Sequence, residues 1–126
     1  MKITIIIPVY NEQAHIEHML GSLAGQTIKP SQVIIVDDNS TDNTPSIIKK
    51  YVDTYPWITA VNTHKESKHS PGAKVIEAFY KGYEKCDLDA QLIGKFDADI
   101  ILPTNYLEKM IAIFASDNLV GMASGN

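Results

Sequence analysis

The chain has 126 residues, a length that allows one compact domain with a hydrophobic core but leaves little room for a second. Hydrophobic residues make up 44% of it and charged residues 21%, which is typical of a globular protein and excludes a disordered or fibrous one. The net charge of -4 argues against nucleic acid as a partner, because phosphate binding calls for clustered Lys and Arg.

The sequence also indicates a compartment. Its longest apolar runs, such as residues 3–7, are far too short to cross a bilayer, and no signal-peptide pattern precedes them. Cys86 is the single cysteine, so no disulfide forms within the chain, as suits a reducing compartment. We therefore expect no membrane segment in this chain and a cytoplasmic location, with the full-length protein either free or at the inner face of the membrane.

Predicted strands and helices alternate along the first half of the chain. The β-branched run 3–7 is typical of a strand buried on both faces, and Pro8 is expected to end it. Asn11 is a favourable N-cap for a helix that Gly25 closes, and the run 33–36 predicts a second strand. The apolar positions of that first helix recur at helical spacing: Ile16, Met19, Leu20 and Leu23.

The same alternation continues to the end of the chain. Thr44 as N-cap and Pro45 in the first turn predict a helix, and a weaker strand follows at 57–61. After a polar loop at 62–72, the pattern predicts a helix at 74–83, a strand at 92–96, a helix at 103–114 and a strand at 119–123. This order predicts an α/β fold with a mostly parallel sheet, helices on both faces and right-handed crossovers.

Polar side chains collect where the predicted strands end. Strand one is followed by Pro-Val-Tyr-Asn-Glu (8–12), strand two by Asp-Asp-Asn-Ser (37–40), and strand four by Asp-Ala-Asp (97–99). Ligands of an open parallel sheet bind beyond the carboxyl ends of its strands, so these segments predict the site. Their five carboxylates would repel one another, and a divalent cation bridging them to a polyphosphate relieves that repulsion. Oxygen ligands suit Mg²⁺ or Mn²⁺.

Each segment also has a simpler interpretation. Asp37 and Asp38 are common in turns, because Asp side chains bond to nearby backbone. Tyr10 could be an aromatic at the rim of the core, and Glu12 a first-turn acid stabilised by the helix dipole. The functional interpretation depends on the order and spacing of all three segments.

Together, the segments Ile-Ile-Ile-Pro-Val-Tyr-Asn-Glu (5–12), Val-Asp-Asp-Asn-Ser-Thr-Asp-Asn-Thr (36–44) and Phe-Asp-Ala-Asp (96–99) resemble the three signatures of family 2 glycosyltransferases. The resemblance implies the GT-A fold, with residues 1–126 as its Rossmann-like nucleotide-diphospho-sugar-binding domain. It further implies metal-assisted transfer of a sugar, with inversion, to a hydroxyl of a saccharide or lipid-linked acceptor. The expected donor is a UDP-sugar, with a GDP-sugar as second choice.

The resemblance also implies roles for individual residues. Tyr10 would lie against the base, and Asp38 would accept a hydrogen bond from the base or ribose. Asp97 would lie near the ribose and the metal, and Asp99 would ligate the metal, Mg²⁺ or Mn²⁺. Lys74 would reach the base or diphosphate, with a solvated first-turn lysine as the alternative. The nucleotide-binding residues implied are Pro8, Val9, Tyr10, Glu12, Asp38, Lys74, Asp97 and Ala98, and the metal ligands are Asp99 and Asp97.

Members of this family continue beyond the matching segments, with an acidic general base and the elements that hold the acceptor. The chain is therefore expected to stop before its acceptor-binding half, and to bind donor without turning it over. Without the base, no group would take the proton from the acceptor hydroxyl as it attacks the anomeric carbon.

Three other classes compete with this interpretation. A receiver-like phosphoacceptor signalling domain has its acidic pair after strand one, whereas here the pair follows strand two. A nucleotidyltransferase that makes a nucleotide sugar needs a Gly-rich basic loop after strand one, and the residues at 11–13 are Asn-Glu-Gln. A non-catalytic nucleotide-binding module is the third alternative.

Overall fold

A computed structural model describes residues 2–63 and 91–116 of the chain. Four parallel strands form one sheet in the order β3-β2-β1-β4. The strands are β1 (Ile3–Val9), β2 (Gln32–Asp37), β3 (Ile58–Asn62) and β4 (Leu92–Lys95). The predicted α/β fold with a parallel sheet is thereby confirmed.

Three helices are described, and all of them contribute to the same core. They are α1 (Ile16–Ala24), α2 (Thr44–Thr54) and α3 (Tyr106–Ser116). Within the described part of the chain, no helix is long and apolar enough to span a membrane. The helix predicted at 74–83 and the strand predicted at 119–123 lie outside the described residues.

The two central strands, β1 and β2, are buried on both faces, as their β-branched runs predict, whereas β3 and β4 are partly exposed. On one face, Ile5, Ile7 and Ile35 pack in a core that includes the apolar side of α1, with Ile48 from α2 and Leu107 from α3. On the opposite face, a second cluster of fully buried side chains contains Ile6, Ile34 and Val36. Helices on the first face are thus confirmed, and among the described residues the second cluster is formed by strand side chains alone.

Pro8 does not end the first strand, contrary to the prediction. β1 continues to Val9, and Pro8 pairs with Val36 of β2. Alternate residues of a parallel strand bond to opposite neighbours, and Ile6 accepts its hydrogen bond from Phe96 on the β4 side. The amide that proline lacks would therefore face β4 beyond its last residue, Lys95, so no ladder hydrogen bond is lost.

The predicted helix starts also need correction. Asn11 is not the N-cap of α1, which begins at Ile16 after His15; its side chain bonds instead to the loop after β2. Thr44 is the first residue of α2 and Asn43 is the N-cap, although Pro45 does lie in the first turn as predicted. A strong capping residue is available to any nearby backbone, so local sequence alone does not fix which element it serves. Likewise, α3 begins at Tyr106 and not at residue 103.

Gln26 joins α1 to the start of α3, a role that the sequence analysis missed. Its side chain is 1% exposed, and its Nε2 donates to the carbonyls of Ser22 (3.1 Å) and Pro103 (2.6 Å). Its Oε1 accepts from the backbone amide of Leu107 at 3.0 Å, in the first turn of α3. The segment that follows β4 is thereby held against the end of α1.

Gln26→Leu should therefore lower the free energy of unfolding by about 1–3 kcal/mol, because it leaves buried backbone groups without partners. Urea denaturation followed by circular dichroism measures this change. Gln91→Leu is the matched control: Gln91 is exposed, so water can replace the hydrogen bond that its Oε1 accepts from the Lys2 amide, and the change in stability is expected to be less than about 0.5 kcal/mol. Equal denaturation midpoints for Gln26→Leu and the unsubstituted chain would contradict the role given to Gln26.

Candidate functional site

The carboxyl ends of the strands meet at one edge of the sheet, as the sequence predicts. Val9 pairs with Asp37, and Asp37 pairs with Asn62. On the other side of β1, Ile6 pairs with Lys95, so Asp-Ala-Asp (97–99) follows at the same edge. The strand order reverses between β1 and β4, and a crevice at such a reversal is the usual ligand site of an open α/β sheet.

Two loops of this edge are joined by hydrogen bonds centred on Asn11. Its Oδ1 accepts from the backbone amides of Thr41 at 2.7 Å and Asp42 at 3.3 Å. The backbone amide of Asn11 donates to Ser40 Oγ at 2.9 Å. Asn11 has a φ of 48°, a left-handed conformation that Asn tolerates better than most residues. The loop after β1, which carries Tyr10, is thus fixed to the loop after β2.

The same two loops share further contacts. Thr44 Oγ1 accepts from the amide of Glu12 at 2.9 Å, and Gln13 Oε1 accepts from the amide of Asn43 at 2.9 Å. The Asp42 carboxylate accepts from the amides of Thr44 (2.9 Å) and Gln13 (3.4 Å). Desolvation alone would raise the pKa of Asp42, but its hydrogen bonds from Thr44 and Gln13 outweigh this and lower it. Because its pKa is lowered, Asp42 is charged at neutral pH, and the charge that strengthens these bonds is lost only as the pH falls through the lowered pKa.

The contacts of Asp37 agree with the simpler interpretation, that it is a residue of a turn. Its side chain is 5% exposed, and its Oδ1 accepts from Ser40 through both the backbone amide (3.1 Å) and the hydroxyl (2.6 Å). Asp37 is therefore a turn residue that shapes the loop after β2.

Asp38 lies differently from its neighbour. It is half-buried, and its amide donates to the carbonyl of Val9 at 2.9 Å, which ties it to β1. Its Oδ1 accepts a hydrogen bond from the hydroxyl of Thr63, directly after β3, at 2.5 Å. The second oxygen, Oδ2, receives no hydrogen bond from residues 2–63 or 91–116, so it can accept one from a ligand.

The residues predicted to line a nucleoside pocket after β1 divide into exposed and buried ones. Tyr10 is 56% exposed, so its ring offers a free face to a ligand. The Glu12 carboxylate is partly exposed and lies 3.3 Å from His15 Nδ1. Pro8 is half-buried, whereas the Val9 side chain is 3% exposed and packs in the main core. Any contact of Val9 with a ligand would therefore come from its backbone.

The segment after β4 presents two exposed carboxylates on either side of a buried alanine. The Asp97 side chain is 71% exposed, and its Oδ1 lies 3.2 Å from Lys95 Nζ. Ala98 is 4% exposed and belongs to the main core. Asp99 is exposed and makes no ion pair with any described residue. The buried methyl group anchors the segment, so that both carboxylates face solvent.

The predicted convergence of five carboxylates on one edge is correct in topology but does not produce a cluster. Among residues 2–63 and 91–116, no three acidic, His or Cys side chains lie close enough to hold a metal ion. Asp37 and Asp38 bond to hydroxyl groups, those of Ser40 and Thr63, and Asp97 lies beside Lys95. Lys74, predicted to contact the base or diphosphate, lies outside the described residues.

A cleft of about 490 Å³ opens beside this edge, between the ends of β2 and β3 and the start of α2. Thr63, which the sequence analysis missed, lies at its wall; its place directly after a strand at this edge was the available signal. The lining residues are Asp37, Asn39, Ser40, Thr41, Pro45, Asn62 and Thr63.

The sequence matches a protein-family model over almost its whole length. The model of glycosyl transferase family 2 matches residues 4–124, which include all three motif segments. The chain belongs to this family. The receiver and nucleotidyltransferase alternatives are therefore set aside.

Curated glycosyltransferases that resemble the chain are longer. The uncharacterized glycosyltransferase YibD of Escherichia coli K12 is 31% identical over 119 residues, which cover 94% of this chain and 32% of that protein. The chain spans well under half the length of the curated relatives it matches.

Solved structures confirm the predicted GT-A fold. The mannosyltransferase PcManGT of Pyrobaculum calidifontis, in complex with GDP-Man and Mn²⁺, has a TM-score of 0.76 and 26% identity, covering 95% of this chain and 34% of that one. Residues 1-349 of Staphylococcus aureus TarS, in complex with UDP-GlcNAc, have a TM-score of 0.72 and 25% identity, covering 94% and 32%.

Proposed function

We propose that this chain is the donor-binding part of an inverting, metal-assisted glycosyltransferase that uses a nucleotide-diphosphate sugar. The observation that carries the proposal is the family match over residues 4–124, whose three motif segments meet at the carboxyl edge of the sheet. A UDP-sugar is the first choice of donor and a GDP-sugar the second. Similar solved structures hold one of each, UDP-GlcNAc and GDP-Man.

The base and ribose bind to the ends of β1 and β2 in this proposal. Tyr10, with an exposed ring, stacks against the base, since an aromatic face accommodates any base. The free oxygen of Asp38 accepts an N–H from the base. Because the hydrogen bonds of Asn11 join the two loops, these residues are held in place before the ligand arrives.

The diphosphate and a divalent cation bind to the segment after β4. Asp97 and Asp99 are the candidate ligands, and their exposed carboxylates fit a cation that takes one or two protein carboxylates plus phosphate oxygens and water. Such an arrangement does not need three protein ligands, in keeping with the described residues. When bound, the cation would stabilise the negative charge that develops on the leaving diphosphate.

In the whole protein, the reaction is a direct displacement at the anomeric carbon. An acceptor hydroxyl oxygen, on a saccharide or a lipid-linked molecule, forms the new bond as the bond to the diphosphate breaks, which inverts the configuration. The hydroxyl proton passes to a base that we do not assign to a described residue. Donor binding, and not sugar transfer, is the property we expect of these 126 residues.

Isothermal titration calorimetry of the purified chain tests this proposal. UDP or GDP should bind in the presence of Mn²⁺ or Mg²⁺, and the affinity should fall when EDTA removes the metal, because the cation links Asp99 to the diphosphate. Adenosine diphosphate serves as the control for a general attraction of diphosphate. Absence of binding by both UDP and GDP, with metal present and the chain folded, would refute the proposal.

A further inference from the structure

We propose that Thr63 is a positioning residue that sets the orientation of the Asp38 carboxylate and, through it, the preference for the base. The inference rests on the proposed function, because it takes Asp38 as the acceptor for an N–H of the base. It assigns a role to a residue at the end of β3, outside all three motif segments.

The geometry ties Asp38 to both neighbouring strands. Its amide donates to Val9 of β1, and the carbonyl of Asp37 accepts from the amide of Thr63 at 3.1 Å. The backbone of residues 37 and 38 is therefore held from both sides. The Thr63 hydroxyl then donates to Asp38 Oδ1 at 2.5 Å, within the range of charge-assisted hydrogen bonds.

This hydrogen bond leaves the two carboxylate oxygens unequal. Oδ1 is occupied by Thr63, and the rotation of the carboxylate about its last bond is restricted. Oδ2 receives no hydrogen bond from a described residue, so it is the oxygen with both lone pairs left for a ligand. A carboxylate accepts but does not donate, so an acceptor at this position favours a base with an N–H on its ring, such as uracil or guanine. It disfavours cytosine, whose ring nitrogen at the corresponding edge is itself an acceptor.

The Thr63 hydroxyl has little other use within the described residues. The Asn39 side-chain amide approaches it at 3.5 Å, a weak contact in comparison with the one to Asp38. Thr63 is partly buried and lies at the wall of the cleft beside the ends of β2 and β3. Loss of the hydroxyl should therefore weaken ligand binding, because the Asp38 carboxylate would be free to rotate.

Thr63→Val, which keeps the shape of the side chain, should weaken uridine and UDP binding by about three- to tenfold. It should also reduce the preference for uridine over cytidine, measured by calorimetry with both nucleosides. Thr63→Ser retains the hydroxyl and should restore both values to within about twofold. Thr59→Val, at an exposed position earlier on β3, is the matched control.

A double-mutant cycle separates positioning from direct contact. If Thr63 acts through Asp38, Thr63→Val should have no further effect on uridine binding in an Asp38→Ala background. An equal loss in both backgrounds would overturn the inference, as would unchanged binding by Thr63→Val. If the unsubstituted chain bound neither UDP nor GDP, the proposed function would fail and this inference with it; normal binding with an inert Thr63 would overturn this inference alone.

Discussion

Replacing Asp99 with alanine should abolish the part of UDP affinity that depends on Mn²⁺ while leaving metal-free uridine binding nearly intact. The Asp99 carboxylate is exposed and makes no ion pair with a described residue, so it is free to ligate a cation held by the diphosphate. Without it, the cation loses its link to the protein and the benefit of adding metal disappears. Calorimetry with and without EDTA should therefore give nearly equal dissociation constants for this variant.

The matched control is Asp53→Ala. Asp53 is also exposed, but it lies in the last turn of α2, about 13 Å along the helix from the site edge where α2 begins, and it pairs with Lys49. Asp53→Ala removes the same charge as Asp99→Ala, so the two variants have the same net charge. Metal dependence that survives in Asp99→Ala but is lost in Asp97→Ala would show that Asp97 is the ligand instead.

The second large effect is expected at Asp38. Asp38→Ala should weaken binding of uridine and UDP by about ten- to a hundredfold, because a hydrogen bond to a charged group contributes about 1.5–3 kcal/mol. The dependence of UDP binding on metal should change little, since Asp38 follows β2 and the candidate ligands follow β4. Titration of uridine and UDP into both variants separates the two roles.

Asp38→Asn adds a finer comparison, because it keeps an acceptor oxygen but removes the charge. It should bind uridine with an affinity between those of the unsubstituted chain and Asp38→Ala. If Asp38→Ala bound uridine normally, Asp38 would join Asp37 as a turn residue.

Much of the fold could be predicted from local sequence because the buried strands carry a continuous β-branched signal. The run 3–7 places β1, and 33–36 places β2, each within a residue or two of the observed ends. The predicted start of α1 was wrong because the residue expected to cap it bonds to another part of the chain. Asn11 is an acceptable helix cap by type, but its oxygen is taken by the loop at 41–42, which no local pattern reveals.

The candidate site divides in the same way. Sequence alone determined which residues stand at the carboxyl edge, since parallel strands bring their ends together whatever the details of packing. Only the tertiary structure decided how each carboxylate is used. Asp37 bonds within its own turn to Ser40, whereas the adjacent Asp38 is held by Thr63, which the pairing of β2 with β3 brings alongside from 25 positions away in the chain. Ser40 is a neighbour of Asp37 in sequence, but Thr63 reaches Asp38 only because the fold places the end of β3 beside the end of β2.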